Sequence, residues 1–317
     1  MKNYALPTIL VFVLLGLFLG VMPSLAQERQ KKKLKKKRAR AERLSLNINN
    51  PHGFIDGHVH LNDLNMQLEL MKKNRIARAI AFWGRNSTNE SLIESFRDHP
   101  QKLIPFVSVS PERNKYRVLW KQNDPKLLAI LEAQLKTGVF KGIGEISVTH
   151  FPGMGFPEAD FSPNSTLMKG IMRLAEKYKV PVTIHCEVTR IREFSELLYE
   201  FKIVKVIWAH GGYTPYFLAN RMLEKHPNLI YELSARTWLD HPRSSDYTIF
   251  KSNSEVWKQW LDLVEANPRR FIVGTDSSNH SAERDQRKIE SVQLFLGLLT
   301  PETRTRVAQE NLLELVQ

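Results

Sequence analysis

From Leu44 onward the chain predicts a (β/α)8 TIM barrel of the α/β class, and three observations carry that expectation. Eight short apolar or β-branched runs recur, at Phe54-Ile55-Asp56, Arg78 to Phe82, Leu103 to Val109, Phe140 to Ile146, Pro181 to Cys186, Ile203 to Ala209, Leu229 to Leu233 and Phe271 to Gly274. Most are near-continuous hydrophobic stretches rather than alternating ones, as strands of a parallel sheet covered on both faces require. Segments of helical period separate them, and Leu44 to Gln317 has the length of one such barrel, typically about 250 residues. A doubly wound open sheet is the alternative architecture.

The clearest helix starts at Asp124-Pro125, an N-cap followed by a first-turn proline. It runs through the stripe Leu127, Leu128, Ile130, Leu131 and Leu135 and closes at Gly138. Further stripes are Leu167, Ile171, Leu174, Ala175 and Tyr178; Phe194, Leu197, Leu198 and Phe201; Val256, Trp257, Trp260, Leu261 and Val264; and Val292, Phe295, Leu296 and Leu299. Each is a face to be packed against the barrel, so Trp257 and Trp260 are expected in the core. Three connections, Pro111 to Asn123, His150 to Asn164 and Ala235 to Asn253, are longer than packing needs. All follow a strand candidate and would crown the C-terminal rim, where the site of such a barrel lies.

The composition, 42% hydrophobic and 25% charged, is that of a globular protein and excludes a disordered chain. The formal charge of +13 is concentrated near the N-terminus, where Gln27 to Arg43 hold ten basic and two acidic residues. Residues 27–50 read as a basic disordered linker. Residues 29–43 offer weak contact with a membrane or another acidic surface, and with no aromatic side chains to stack on bases they predict no specific nucleic-acid partner. Ahead of them, the charge-free apolar run Ala5 to Met22 and the ending Ser24-Leu25-Ala26 read as a signal peptide over residues 1–26, hence an exported protein, periplasmic or secreted. Dense positive charge after the run resists translocation, so an uncleaved membrane anchor through residues 5–22 is the alternative. Residues 51–317 then form a single catalytic domain. The lone Cys186 excludes an internal disulfide framework and is expected to be a small buried hydrophobe.

Groups able to bind metal or move protons stand at five of the strand ends. His58 and His60 follow the first run one residue apart, so on an extended strand they share a face. Glu145 ends the fourth run, His185 the fifth and His210 the sixth, and Asp276 follows the eighth in Gly274-Thr275-Asp276. A carboxylate or imidazole buried at a strand end is costly unless paired, and six such groups aimed at one barrel mouth satisfy each other through a cation.

This set resembles the amidohydrolase superfamily. Ile55-Asp56-Gly57-His58-Val59-His60, Ala209-His210-Gly211-Gly212 and Gly274-Thr275-Asp276 are similar to its amidohydrolase-2 branch of metal-dependent hydrolases and non-oxidative decarboxylases. The similarity reaches the final helix, where the segment from Arg306 to Leu315 resembles the closing segment of that family. It implies that His58, His60, His185 and Asp276 ligate a divalent metal, expected to be zinc. His210 acts beside it as a proton donor or orienter of water, and Asp276 accepts a proton from the attacking water. The implied activity is cleavage of an amide, ester, lactone or related bond of a small molecule by metal-activated water, with non-oxidative decarboxylation as the alternative.

Glu145 departs from that pattern, because many members lack a carboxylate there. TatD-like deoxyribonucleases, which place a metal-bridging Glu at the end of strand 4, are similar in this feature. With Glu145 as a bridge and His210 as a ligand the same residues would hold two metals, a geometry suited to phosphoester hydrolysis, so one ion or two stays open. A two-metal phosphoesterase or nuclease is a further alternative, and a non-catalytic surface binding protein is the alternative from another class. Arg85 and Arg236, each just past a strand, are candidates to clamp a substrate carboxylate or phosphate. His99, His150, His226, His241 and His280 are expected to be exposed.

Overall fold

Eight parallel strands pair in sequential order: β1 (Phe54–Leu61), β2 (Ile76–Trp83), β3 (Leu103–Val107), β4 (Gly142–Ser147), β5 (Val182–His185), β6 (Val206–Trp208), β7 (Leu229–Glu232) and, after a hairpin of β8 (Phe250–Ser252) and β9 (Glu255–Val256), β10 (Phe271–Ile272). The computed structural model describes residues 52–84, 87–108, 124–150, 160–239, 241–252 and 255–317. The N-terminal segments, Arg85 and the connection Pro111 to Asn123 lie outside them. Backbone bonds from Gly57 N to Val273 O (2.9 Å), Asp276 N to His58 O (2.9 Å) and His60 N to Ser277 O (2.8 Å) join the last strand to the first, closing the predicted barrel. Asp56 reinforces that seam by accepting from Thr275 N (2.8 Å) and Thr275 Oγ1 (2.7 Å).

Helices α1 (Leu64–Asn74), α2 (Asn89–Asp98), α3 (Lys126–Leu135), α4 (Thr166–Tyr178), α5 (Ile191–Glu200), α6 (Tyr216–Lys225), α7 (Lys258–Ala266) and α8 (Ala282–Gly297) alternate with the strands. The side chains of Asp63, Thr88, Ser165 and Ser281 cap four of them by accepting from backbone N–H groups of the first turn, whereas α3, expected to start with Asp124 as cap and Pro125 in the first turn, begins at Lys126 with Pro125 at the cap position. The apolar stripes of these helices pack on the outer strand faces in one large core. A second cluster of Ile55, Ile80, Phe82, Ile104, Phe106, Ile207, Ile230 and Ile272 fills the barrel interior, and Leu312 of the last helix, α10 (Asn311–Leu315), packs into it after the short α9 (Pro301–Thr305). Gly142 makes room for this filling, since a Cβ there would stand 2.2 Å from the Phe106 ring. Among the described residues no helix is long and apolar enough to cross a membrane.

Two expectations about burial need correction here. Trp260 is buried, but Trp257 caps the start of α7 and is 45% exposed, because it lies one turn before the packed stripe begins. The long connection Ala235 to Asn253 carries β8 of the hairpin. His226 and His241 are buried rather than exposed. Sequence position at a helix end says nothing about a neighbouring helix, and the Ser195 hydroxyl of α5 lies 2.8 Å from His226 Nε2.

Burial, with Lys225 and Arg270 beside it, lowers the His226 pKa to about 4 from an ordinary value of 6.5. Between those values the unfolded chain binds a proton that the folded protein refuses, so stability falls as pH falls from about 6.5 to about 4. Urea unfolding of the His226→Gln variant at pH 7 and at pH 4.5 is expected to show a smaller loss between the two pH values than the parent.

Candidate metal centre

His58 and His60 are two apart on β1 and face the barrel mouth together. Asp276 joins them from the turn after β10, at φ +53°, a left-handed conformation rare for a residue with a Cβ. His210 begins a turn in which four consecutive residues, His210, Gly211, Gly212 and Tyr213, all have positive φ between 50° and 55°. Two glycines make that left-handed turn feasible. A Cβ on Gly211 would also stand 1.7 Å from the Tyr231 ring, and one on Gly212 2.1 Å from the Cys186 carbonyl. The turn brings the His210 and Tyr213 rings into a stack at 5.3 Å.

All six predicted groups converge. His60 Nε2 is 3.3 Å from His58 Nε2 and 3.3 Å from Glu145 Oε2. His58 Nε2 is 3.6 Å from Glu145 Oε2, and Asp276 Oδ1 lies 3.8 Å and 3.7 Å from the two histidine nitrogens. A tetrahedral ion with donors at about 2.1 Å separates them by about 3.4 Å, so the His58, His60 and Glu145 atoms have the spacing of one coordination shell, and Asp276 lies near that spacing from both histidines. The other oxygen, Glu145 Oε1, is 3.1 Å from His185 Nδ1 and 3.6 Å from His210 Nε2. Glu145 therefore stands between two donor sets, His58, His60 and Asp276 on one side, His185 and His210 on the other. The donors are nitrogen and carboxylate oxygen, as zinc and similar divalent ions take.

The ring nitrogens turned away from the centre are all engaged. His58 Nδ1 lies 3.3 Å from Glu232 Oε2, His60 Nδ1 3.1 Å from the Trp83 carbonyl, and His210 Nδ1 3.1 Å from the Ser234 carbonyl. An N–H donated outward leaves Nε2 of each ring as the lone pair facing inward. His185 is reversed: Nε2 meets Glu187 Oε1 at 3.3 Å and Nδ1 faces the centre. Glu232 is fully buried and accepts from His210 N (3.1 Å), Ser234 N (2.6 Å) and Ser234 Oγ (2.6 Å), so it orients ligands rather than serving as one.

Charge is stabilised across the centre. Burial opposes ionisation of Glu145, but His58, His185 and His210 around it outweigh that and hold its carboxyl well below the usual range. Burial likewise opposes charge on His185, and the Glu145 and Glu187 carboxylates on either side raise its pKa to about 9. For Asp276, Lys288 and the nearby histidines overcome burial and lower the carboxyl pKa. The Tyr213 phenol, buried and beside Asp276 and Glu145, is pushed well above its ordinary value and stays protonated. Among the four groups forming the first set and its support, His58 and Glu232 have no exposed side-chain surface, whereas His60 is 28% and Asp276 23% exposed. The centre therefore opens to the rim on the His60 and Asp276 side.

Arg236 is not at the mouth. It is 2% exposed, donates from Nη2 to the Thr214 carbonyl at 3.0 Å and lies over the Trp260 ring at 4.9 Å, between barrel and helix layer. Strand alternation past β7 turns Ser234 inward and Arg236 follows the irregular turn after it, where Ala235 has φ +56°. Arg85 lies outside the described residues. Sequence reasoning missed Glu232, Glu187, Ser234 and Tyr213. Period-two spacing was the available signal, since Ile230, Glu232 and Ser234 alternate inward along β7, and Glu187 follows His185 by two. His150, expected to be exposed, packs its ring on His185 at 4.7 Å, and burial lowers its pKa to about 3. Cys186 is fully buried as expected, and burial pushes its thiol up to about 12.

Glu232→Gln keeps the shape and removes the anion that fixes His58. Divalent-metal affinity is expected to fall about ten- to a hundredfold, read by competition with a chelating dye.

A closed parallel barrel with histidines and carboxylates gathered at the C-terminal strand ends defines a metal-dependent barrel enzyme. The amidohydrolase-2 family model, described as amidohydrolase, matches residues 55–315, and the chain belongs to that family. No curated protein matches the sequence. Among solved structures, a probable 2-pyrone-4,6-dicarboxylic acid hydrolase from Acinetobacter baumannii is similar with a TM-score of 0.55 at 13% identity, over 83% of this chain and 98% of that one. A 5-carboxyvanillate decarboxylase mutant from Novosphingobium aromaticivorans, with manganese bound, is similar with a TM-score of 0.52 at 13% identity, over 80% of each chain. A 4-oxalomesaconate hydratase from Rhodopseudomonas palustris gives 0.53 at 15% identity, over 79% of each chain. At these identities the likeness is one of fold.

Proposed function

We propose that this member of the family is a hydrolase that cleaves an ester, lactone, amide or related bond of a small molecule at a centre of two divalent ions, zinc by the balance of imidazole and carboxylate donors. The observation that carries this reading is the division of the Glu145 carboxylate, Oε2 within 3.6 Å of the His58 and His60 donors and Oε1 within 3.6 Å of those of His185 and His210. Divalent ions held there supply Lewis acidity and lower the pKa of water toward about 7. Asp276, kept ionised and open to the rim, takes the proton from the attacking water and delivers it to the leaving group. His210 binds in the second set, and the protonated Tyr213 phenol stacked on it supplies a hydrogen-bond donor at the same mouth. Export through the signal peptide of residues 1–26 belongs to this reading, and a mature N-terminus at Gln27 is its test.

Elemental analysis of the purified protein is expected to return two ions per chain, and turnover of a lactone and ester panel in 18O-water to place one 18O in the acid product. A second reading has its own support. Tyr213, His241 and Tyr247 lie within 5.2 Å of one another by ring centre beside the metal ligands, a wall suited to a planar acid, and decarboxylases of such acids share this fold. Carbon dioxide release with no 18O incorporation would replace hydrolysis by that reading, and cleavage of a phosphodiester alone would replace it by the phosphoesterase alternative.

A further inference from the structure

We infer that Lys288 and Trp238 are positioning residues, which clamp two successive carbonyls of the Thr275–Asp276 turn and so aim the Asp276 carboxylate at its ion; this rests on the metal-centre reading above. Trp238 Nε1 donates to the Thr275 carbonyl at 3.0 Å, and Lys288 Nζ donates to the Asp276 carbonyl. The two side chains come from different parts of the fold, Trp238 from the connection after β7 and Lys288 from α8, and they meet with the ammonium 4.5 Å from the Trp238 ring centre. Lys288 is also 3.6 Å from Asp285 Oδ1, a carboxylate 1% exposed, whose other oxygen accepts from Asn279 N at 2.9 Å.

The reason for the clamp lies in the backbone. Asp276 and Asn279 have φ of +53° and +52°, a left-handed conformation that disfavours a residue with a Cβ and that a free turn would leave for part of the time. Rotation out of that conformation would swing the carboxylate away from the nitrogens of His58 and His60, 3.8 Å and 3.7 Å from it. Directed donors on the carbonyls of residues 275 and 276 fix the two peptide planes that set this torsion. The ammonium held among a carbonyl, a ring and a buried carboxylate has no freedom to reach a substrate, so it acts through Asp276 alone. Trp238 also stacks on His241 at 5.4 Å, and His241 meets the Tyr213 ring at 5.2 Å, which ties the same connection to His210.

The test uses Co2+ alone as the probe, added to chelator-stripped full-length protein, with visible absorption reporting the geometry around the ion. Trp238→Phe keeps a ring and loses the N–H; Lys288→Met loses the cation; Lys288→Arg restores a donor. Trp238→Phe and Lys288→Met are each expected to bind the ion of the His58, His60 and Asp276 set about ten- to a hundredfold more weakly and to shift its absorption bands. Lys288→Arg is expected to recover part of both. Lys288→Met leaves Asp285 without its cation, so if that variant does not fold, Trp238→Phe decides. Parent affinity and parent bands in a folded Trp238→Phe or Lys288→Met variant would overturn the clamp. Failure of the parent itself to take up Co2+ would overturn the metal centre, and the clamp with it.

Discussion

Glu145→Gln is expected to leave the protein with at most one ion per chain and to lower turnover at least about a thousandfold. The carboxylate divides its two oxygens between the donor sets, one 3.3 Å from His60 Nε2 and the other 3.1 Å from His185 Nδ1. An amide has the same shape but one acceptor oxygen and no charge, so it serves one set and presents an N–H2 group to the other. That group faces imidazole nitrogens whose lone pairs no longer share a cation. The loss of one ion removes several kcal/mol of charge stabilisation at the reacting atoms. Elemental analysis beside a thermal melt separates this outcome from unfolding. Two ions retained in a folded Glu145→Gln protein would show that Glu145 is no bridge.

Asp276→Asn should behave differently. Its oxygen remains available as a weaker, uncharged donor, so ion affinity falls but the metal content is expected to hold at saturating ion, whereas the proton acceptor is gone. General-base loss costs about 10²- to 10⁴-fold, and kcat is expected to fall in that range with KM little changed. The split distinguishes a chemical role from a binding role, because removal of a ligand alone raises metal demand and leaves kcat recoverable with excess ion. Restoration of parent turnover by added metal would assign Asp276 to coordination only.

Much of this was legible before the structure. Eight apolar runs became eight strands within a few residues of their expected bounds, because burial on both faces imposes hydrophobicity along the whole strand rather than on one side of it. His58, His60, Glu145, His185, His210 and Asp276 were identifiable for a related reason: each is a polar residue in the C-terminal half of a buried strand or just beyond it, a position that tolerates charge only beside a partner. Arg236 shows the limit of that logic. It too follows a strand, yet the turn at Ala235 sends it into the helix layer against Trp260, and φ at one residue is not written in hydrophobic periodicity.

By itself the amino-acid sequence determined the barrel and the strand beside which each candidate ligand stands, since these depend on patterns of burial and residue type along the chain, while the family was legible as a resemblance of its motifs. Tertiary structure alone decided that Glu145 faces two donor sets, that Glu232 and Glu187 set which nitrogen of His58 and of His185 points inward, and that Trp238 and Lys288 hold the Asp276 turn. These are distances of about 3 Å between residues far apart in the chain, and they exist only once the strands have closed into a ring and brought their ends around one point.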